Sequence, residues 1–163
     1  MGYFICIEKE YLKFSSAHFT LFDDGREPLH GHNFTVKIEV ESQKLMDGFV
    51  VNFVPLKKTL RQICDRLDEC VLLPTSKRVQ VTPSDDTVHA VVDDGSQYSF
   101  PKKEVIVLPL DNVTCESLAY YICIELLQQR QEWDAEHRVS AVRIWVQETP
   151  GQSGGYSAIL QQQ

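Results

Sequence analysis

The sequence lacks the features expected of a secreted, membrane-bound or nucleic-acid-binding protein. Its five cysteines are scattered, odd in number and without C-x-x-C spacing, a pattern typical of free thiols in a reducing compartment. No apolar run reaches membrane-spanning length, and charged residues near the start predict that no signal peptide opens the chain. Acidic residues outnumber basic ones by 23 to 16, which argues against a nucleic-acid partner. We therefore expect a cytoplasmic protein without a membrane or nucleic-acid partner.

Internal repeats and low-complexity segments are also missing from the sequence. Its 163 residues are enough for one domain with a substantial core. A hydrophobic content of 43% and a charged content of 24% are ordinary for a globular protein. We therefore expect a single domain over residues 1–163.

Three histidines lie near the ends of two predicted strands. His30 and His32 open an alternating apolar and polar run over 34–40, which predicts a strand whose residues two apart share a face. His18 ends another such run, and antiparallel pairing would bring it to the same face. Three neutral imidazoles with an open fourth position form the usual catalytic zinc arrangement. The alternative is three polar strand residues without a metal, because a motif as short as H-x-H often arises by chance.

Apolar residues spaced for one helical face predict two helices. The first covers 54–67, with Pro55 in its first turn, and the second runs from Thr114, a suitable N-cap, to about position 131. Alternating runs predict strands over 3–14, with a bulge or bend at 8–10, and over 49–53, 139–148 and 156–160.

The segment 77–100 resembles an inserted hairpin. It contains three strand-like runs and a clear turn, Asp-Asp-Gly-Ser, at 93–96. A fold with few strands and two helices is expected to be α+β, with an antiparallel sheet covered on one face by the helices.

One single carboxylate and one carboxylate pair are candidate substrate-binding or catalytic residues. Glu148 ends the apolar face of the strand 139–148, where a carboxylate is unusual unless donors pair with it. Asp68 and Glu69 follow the first helix directly. A carboxylate pair at a helix exit is usually solvated, so a functional role for this pair needs further support.

Short motifs in a fixed order then resemble a known family. They are Ser16-Ala17-His18-Phe19, Leu29-His30-Gly31-His32-Asn33-Phe34, Asp47-Gly48-Phe49-Val50-Val51-Asn52-Phe53 followed by Leu56-Lys57-Lys58, Arg66-Leu67-Asp68, Thr114-Cys115-Glu116 and Glu148-Thr149. In this order they are similar to the family of 6-pyruvoyltetrahydropterin and 6-carboxytetrahydropterin synthases, over nearly the whole chain.

The resemblance implies a fold, an assembly and a site. It implies a tunnelling-fold unit that forms a trimeric barrel, with two barrels stacked into a hexamer and the active site between subunits. It implies that His18, His30 and His32 bind Zn²⁺. It also implies that Glu148 anchors a pterin substrate, next to Thr114 and Cys115, and that the enzyme is a lyase of tetrahydrobiopterin, folate or queuosine biosynthesis.

One departure from the usual family pattern concerns the catalytic base. Most members have a cysteine shortly before the H-G-H motif, whereas residues 24–29 contain none and Glu27 stands three residues before His30. This spacing resembles the glutamate-type, or type III, subgroup. The resemblance then implies that 7,8-dihydroneopterin triphosphate is converted mainly to 6-hydroxymethyl-7,8-dihydropterin. Glu27 would take a proton. Arg26, Lys102 and Lys103 are candidates to meet the triphosphate, and the alternative is that they are solvated loop cations, which is the more frequent case.

A second departure concerns the proton relay. Glu69 and Cys70 stand where the family usually has a histidine after the aspartate. Asp68 and Glu69 could act as a carboxylate pair in which one pKa is raised.

Two alternatives to this function remain. One is a synthase that yields the 6-pyruvoyl or 6-carboxy product, and the other is an inactive pterin-binding or metal-binding oligomer. Cys70 and Cys115 are competing candidates for the base.

Overall fold

The computed structural model describes residues 2–161, which form a six-stranded main sheet, a three-stranded inserted sheet, a short two-stranded sheet and three α-helices. The elements are β1 (Tyr3–His18), β2 (Leu21–Phe22), β3 (Gly25–Arg26), β4 (His30–Ser42), α1 (Phe53–Leu67), β5 (Cys70–Pro74), β6 (Val79–Pro83), β7 (Thr87–Val92), β8 (Gln97–Pro101), β9 (Val105–Leu108), α2 (Cys115–Gln128), α3 (Arg130–Trp133), β10 (Val139–Thr149) and β11 (Gln152–Ile159). A short 3-10 helix, Lys102–Glu104, precedes β9.

The main sheet has six strands in the order β11-β10-β4-β1-β5-β9. Its first four strands are antiparallel, whereas β5 runs parallel to β1 and β9 parallel to β5. The sheet is therefore mixed, and the expectation of a wholly antiparallel sheet is wrong for these two strands. Long connections explain the difference, because parallel neighbours need a crossover. α1 leads into β5, and the inserted sheet lies between β5 and β9.

The core lies between one face of the sheet and the helices α1 and α2, as the sequence predicts. On β4, Phe34, Val36, Ile38 and Val40 are buried, so the predicted alternation is confirmed. The opposite face of the same strands carries charged side chains, and Arg143 on β10 donates to both Glu39 and Glu41. One apolar face and one charged face are what an α+β sheet covered on a single side requires.

The predicted strand over 49–53 is wrong. Among the described residues, its only pairing is a single bridge between Met46 and Phe49, and α1 begins at Phe53. Asn52 is the N-cap, and its side-chain oxygen accepts a hydrogen bond of 2.8 Å from the Val54 N–H. The β-branched run reads as a strand in isolation, but it forms the irregular segment before α1, and the cap at Asn52 begins the helix directly after it.

Other predicted elements differ mainly in their boundaries. The second helix ends at Gln128 and is followed by the short α3, and the inserted hairpin is a three-stranded sheet, β6-β7-β8. The predicted bulge in β1 is confirmed by a register shift between Glu8 and Lys13. Within residues 2–161, no helix has the length and apolar character needed to cross a membrane.

Candidate active site

The structure brings the three histidines together at one end of the main sheet. The antiparallel register of β1 and β4 places His18 opposite His30, and His32 follows two residues further along β4. One ring nitrogen from each histidine lies within 4.8 Å of the others. The three histidines lie on one face of the paired strands, and they thus form a compact cluster of nitrogen ligands for a metal ion.

Hydrogen bonds to backbone carbonyls hold two of these rings. His18 Nδ1 lies 2.9 Å from the Val113 carbonyl oxygen, and His30 Nδ1 lies 2.8 Å from that of Pro28. A carbonyl accepts only from a protonated nitrogen, so Nε2 of each ring carries the free lone pair. Such a second hydrogen bond is the usual means of orienting a metal-binding histidine.

The environment of His18 fits a metal ligand. Its Nε2 is buried and, among the described residues, has no hydrogen-bond partner. Burial lowers the pKa of His18, and nearby His30 and His32 lower it further, against the opposing effect of the Val113 carbonyl. A neutral imidazole with an unpaired, inward-facing nitrogen is the form that binds a metal ion. The donor set therefore fits Zn²⁺.

Two carboxylates flank the histidine cluster. Glu27 Oε2 lies 3.9 Å from His30 Nε2, and Glu148 Oε2 lies 3.9 Å from His32 Nε2. Both glutamates line a cleft of about 380 Å³. Its lining also includes Thr20, Phe22, Thr114, Cys115, Glu116 and the segment 151–154. This volume is within the range of small-molecule sites.

A bulge directs Glu148 towards the cluster. The pairing of β10 with β11 shifts register between Gln147 and Thr149, so Glu148 has no direct partner on β11. Bulges of this kind re-aim a side chain near the end of a sheet. The Cys115 thiol donates to Glu148 Oε2 over 3.8 Å, and Thr114 caps α2 with Ser117 in a capping box. The start of α2 thus forms one wall of the cleft.

Gly154 is a residue that the sequence analysis missed. A Cβ at this position would lie 2.7 Å from the Glu116 nitrogen and 2.8 Å from Cys115 Cβ. Only glycine allows β11 to pass this close to the start of α2. The sequence signal is the adjacent pair Gly154-Gly155. The pair interrupts the strand pattern, so the predicted strand began only at position 156. A glycine inside a strand also indicates that another segment of backbone passes close to it.

The two thiols considered as alternative bases are poorly suited to ionise. Burial and the nearby Glu148 carboxylate raise the pKa of Cys115 to about 11. Burial, together with Asp68 and Glu69, also raises the pKa of Cys70. A thiol acts as a nucleophile or base through its thiolate, which is scarce at neutral pH when the pKa is high.

Asp68 and Glu69 do not line the cleft that contains Glu27. Asp68 Oδ1 accepts a hydrogen bond of 2.6 Å from the Ser15 N–H, and the Glu69 N–H donates to the Ser15 carbonyl over 2.7 Å. Glu69 has a φ of 56°, and it lines another depression together with Cys70, Glu104 and His32 of the histidine cluster. Within one chain, this carboxylate pair is therefore apart from the candidate base.

None of the described residues that line the cleft is lysine or arginine. Lys102 and Lys103 are exposed on the 3-10 helix. The Arg26 guanidinium is bound to Asp94, Ser96 and the Glu27 carbonyl. Arg26 is thus engaged within the chain, and a contact between the triphosphate and any of these three cations stays a prediction.

Comparison with known proteins identifies the family. The family described as 6-pyruvoyl tetrahydropterin synthase matches residues 6–158, which is nearly the whole chain. The protein belongs to this family. It is therefore a pterin-processing enzyme of the lyase type, and its fold is the tunnelling-fold unit predicted from the motifs.

Relatives and solved structures agree with this assignment. A proposed 6-carboxy-5,6,7,8-tetrahydropterin synthase of Methanocaldococcus jannaschii is 29% identical over 152 residues, which cover 92% of each chain. The crystal structure of 6-pyruvoyl tetrahydropterin synthase from Plasmodium vivax has a TM-score of 0.90 and 28% identity, covering 98% of this chain and 99% of that one. A variant of the Plasmodium vivax enzyme, with alanine in place of a glutamate described as a catalytic residue, has a TM-score of 0.89, 27% identity and the same coverage.

Proposed function

We propose that the protein is a zinc-dependent enzyme that acts on the side chain of 7,8-dihydroneopterin triphosphate and releases 6-hydroxymethyl-7,8-dihydropterin. The observation that carries this proposal is the Glu27 carboxylate, 3.9 Å from His30 on the rim of the histidine cluster. The Plasmodium vivax enzyme, which has a similar fold, also uses a glutamate described as catalytic. This supports a base of the glutamate type.

Each group at the site has a separate role in this proposal. His18, His30 and His32 hold Zn²⁺, which when bound would polarise a side-chain oxygen of the substrate. The Glu27 carboxylate takes the proton of the second side-chain hydroxyl from the ring, and the carbon that bears this hydroxyl leaves as a triphosphorylated aldehyde. The electron pair of the broken carbon–carbon bond passes into the C=N group of the dihydropterin ring. Return of the proton to the carbon that stays on the ring completes 6-hydroxymethyl-7,8-dihydropterin. Glu148 accepts hydrogen bonds from the N–H groups of the pterin edge, beside Thr114 and Cys115.

Glu148→Gln is expected to weaken pterin binding by tenfold or more while the zinc content stays unchanged. The change keeps the size of the side chain and replaces an acceptor oxygen with a donor. A charge-assisted hydrogen bond in a site is worth about 1.5–3 kcal/mol. Calorimetric titration with a dihydropterin measures the effect. Gln147→Glu, from the same strand, is the control and should leave the pterin affinity unchanged. Equal pterin affinity in Glu148→Gln and the unmodified protein would show that the ring is held elsewhere.

We also propose that the protein assembles as a homo-oligomer, a hexamer built from two trimers. β11 and β9 are the outer strands of the main sheet, and Ile159 on β11 is 88% exposed. Outer strands present unpaired backbone groups that pair readily with another chain. In such an assembly Asp68 and Glu69 would approach the cleft of a neighbouring copy and serve there as the proton relay.

Light scattering at micromolar concentration is expected to give the mass of a hexamer, or at least of a trimer. The monomer mass is 18.7 kDa, so the states are well separated. Zinc-loaded and chelator-treated samples run side by side would separate assembly from metal binding. A monomer with full activity would contradict both the assembly and the placement of Asp68 and Glu69.

A second candidate function is the synthesis of 6-carboxytetrahydropterin, favoured by the similarity to the protein of Methanocaldococcus jannaschii. Mass spectrometry of the products from purified protein and 7,8-dihydroneopterin triphosphate tests both proposals. 6-Hydroxymethyl-7,8-dihydropterin as the main product would support the first. The 6-carboxy or 6-pyruvoyl product would support a synthase, and binding without turnover would indicate an inactive pterin-binding protein.

A further inference from the structure

The turn of the inserted sheet contacts the loop that carries Glu27. Arg26 Nε donates to Asp94 Oδ2 over 2.9 Å, and an Arg26 terminal nitrogen donates to Ser96 Oγ over 2.7 Å. Asp94 and Ser96 belong to the turn between β7 and β8, nearly 70 residues further along the chain. The Ser96 N–H also donates to Asp94 Oδ1 over 2.8 Å, which fixes the turn itself. The insert thus meets the loop through a defined set of hydrogen bonds.

The same guanidinium holds the backbone of Glu27. The second terminal nitrogen of Arg26 donates to the Glu27 carbonyl over 2.8 Å, and the Glu27 N–H donates to the Thr20 carbonyl over 2.9 Å. Both backbone polar groups of Glu27 are therefore engaged. Since Pro28 follows directly, the backbone of Glu27 is also restricted to extended conformations. The carboxylate alone remains free to reach the cleft.

Aromatic rings enclose the Arg26 side chain. Its guanidinium carbon lies 5.6 Å from the centre of the Phe19 ring and 5.4 Å from that of Tyr98, and Tyr98 belongs to the insert. Only 13% of the side chain is exposed. A guanidinium that is stacked, paired and largely buried is held in one position, so it fixes the loop relative to the insert.

Arg78, at the start of the insert, makes a second link to the same loop. It pairs with Asp93, and its terminal nitrogens donate to the backbone carbonyls of Phe22 and Gly25. The loop is thus held at 22, 25 and 27 by side chains that are themselves fixed to the inserted sheet. Its next residue, Pro28, accepts from His30, so the same loop also orients a predicted metal ligand.

We propose that the inserted sheet is a positioning element of the active site, and that Arg26 is the positioning residue through which it places Glu27. This inference rests on the proposed function, in which Glu27 is the base. Arg26 does not line the cleft, and it donates to the carbonyl oxygen of Glu27, so it acts through the backbone of its neighbour.

Arg26→Lys is the sharpest variant, because it keeps the positive charge and removes the fork of donors. An ammonium on a flexible stem cannot replace the planar guanidinium in bonds to Asp94, Ser96 and the Glu27 carbonyl together. A misplacement of about 1 Å in a reacting group can cost on the order of 100-fold in rate. We expect kcat to fall by about 10-fold to 100-fold, with KM and zinc content unchanged. Ser96→Ala, which removes one acceptor, should give a smaller loss in the same direction.

Arg130→Lys is the matched control. The Arg130 side chain is 14% exposed, and it binds the Asp134 carboxylate and the Val139 carbonyl at a site away from the cleft. This variant should lower the melting temperature without changing kcat. If Arg26→Lys and Arg130→Lys both lower only the melting temperature, Arg26 is merely structural and the proposal is overturned.

A double-mutant cycle tests whether Arg26 acts through Glu27. In a Glu27→Ala background, adding Arg26→Lys should change the residual turnover no further, because the group that it positions is already gone. The same fold-loss in both backgrounds would overturn the proposal. If Glu27→Ala abolishes turnover and Arg26→Lys leaves kcat intact, only the positioning role fails. If Glu27→Ala itself leaves turnover intact, the proposed function loses its base.

Discussion

Replacing His30 with alanine is expected to remove the metal and reduce turnover to background, with the fold intact. The three ring nitrogens converge within 4.8 Å, and a site that keeps one position open for substrate has no spare protein ligand. His30 is the best choice because its side chain is 35% exposed, whereas His18 is buried against Phe34. Zinc content after dialysis, measured by elemental mass spectrometry, gives the result directly.

His89→Ala is the control for this experiment. His89 is an exposed histidine on β7 of the insert, and its contact is with Thr87. The His89→Ala protein should retain about one zinc per chain and full activity. Circular dichroism and oligomeric mass should match those of the unmodified protein in both variants. A His30→Ala protein that still binds one zinc per chain would show that the cluster is not the metal site.

The histidine cluster could be predicted from the sequence because strand periodicity determines it. His30 and His32 share a face whenever 30–42 is a strand, and pairing with β1 needs only one register to bring His18 opposite His30. Similar reasoning placed the apolar faces of α1, β4 and β10. These features depend on local patterns, which a single sequence contains in full.

Other features of the site depend on contacts between distant segments. The bonds from Arg26 to Asp94 and Ser96 span 68 and 70 residues, and no local pattern indicates them. Read alone, Arg26 is a loop cation, which is why it was a candidate for the triphosphate. The approach of Gly154 to the start of α2 and the separation of Asp68 from Glu27 have the same origin. Each follows from how segments far apart in the sequence pack together, which periodicity does not encode.

The parallel strands show this limit for the fold. The apolar runs of β5 and β9 are typical of buried strands, but nothing within them specifies a partner or a direction. Their direction follows from the crossover through α1 and from the insert between them. The predicted strand over 49–53 failed for a different reason, since its β-branched residues lie in the irregular segment that leads into α1, where, in the described part of the chain, a strand pattern has no neighbouring strand to pair with.

Glu27→Ala is expected to lower turnover by about a hundredfold to ten-thousandfold, which is the usual contribution of general acid–base catalysis. Glu27 Oε2 lies 3.9 Å from His30 Nε2, within reach of a substrate held at the cluster. The backbone of Glu27 is fixed on both sides, so removal of the side chain should not disturb the loop. Zinc content and pterin affinity should stay unchanged, and single-turnover kinetics should place the whole loss in the chemical step.

Three further variants determine whether the loss belongs to this carboxylate. Asp24→Ala removes an exposed carboxylate from the same loop and should leave turnover unchanged. Cys70→Ser and Cys115→Ser should keep most of the activity, because burial raises the pKa of both thiols, that of Cys115 to about 11. Near-normal turnover in Glu27→Ala, together with its loss in Cys70→Ser, would mean that the base is the thiol. The glutamate-type assignment would then lose the observation on which it rests.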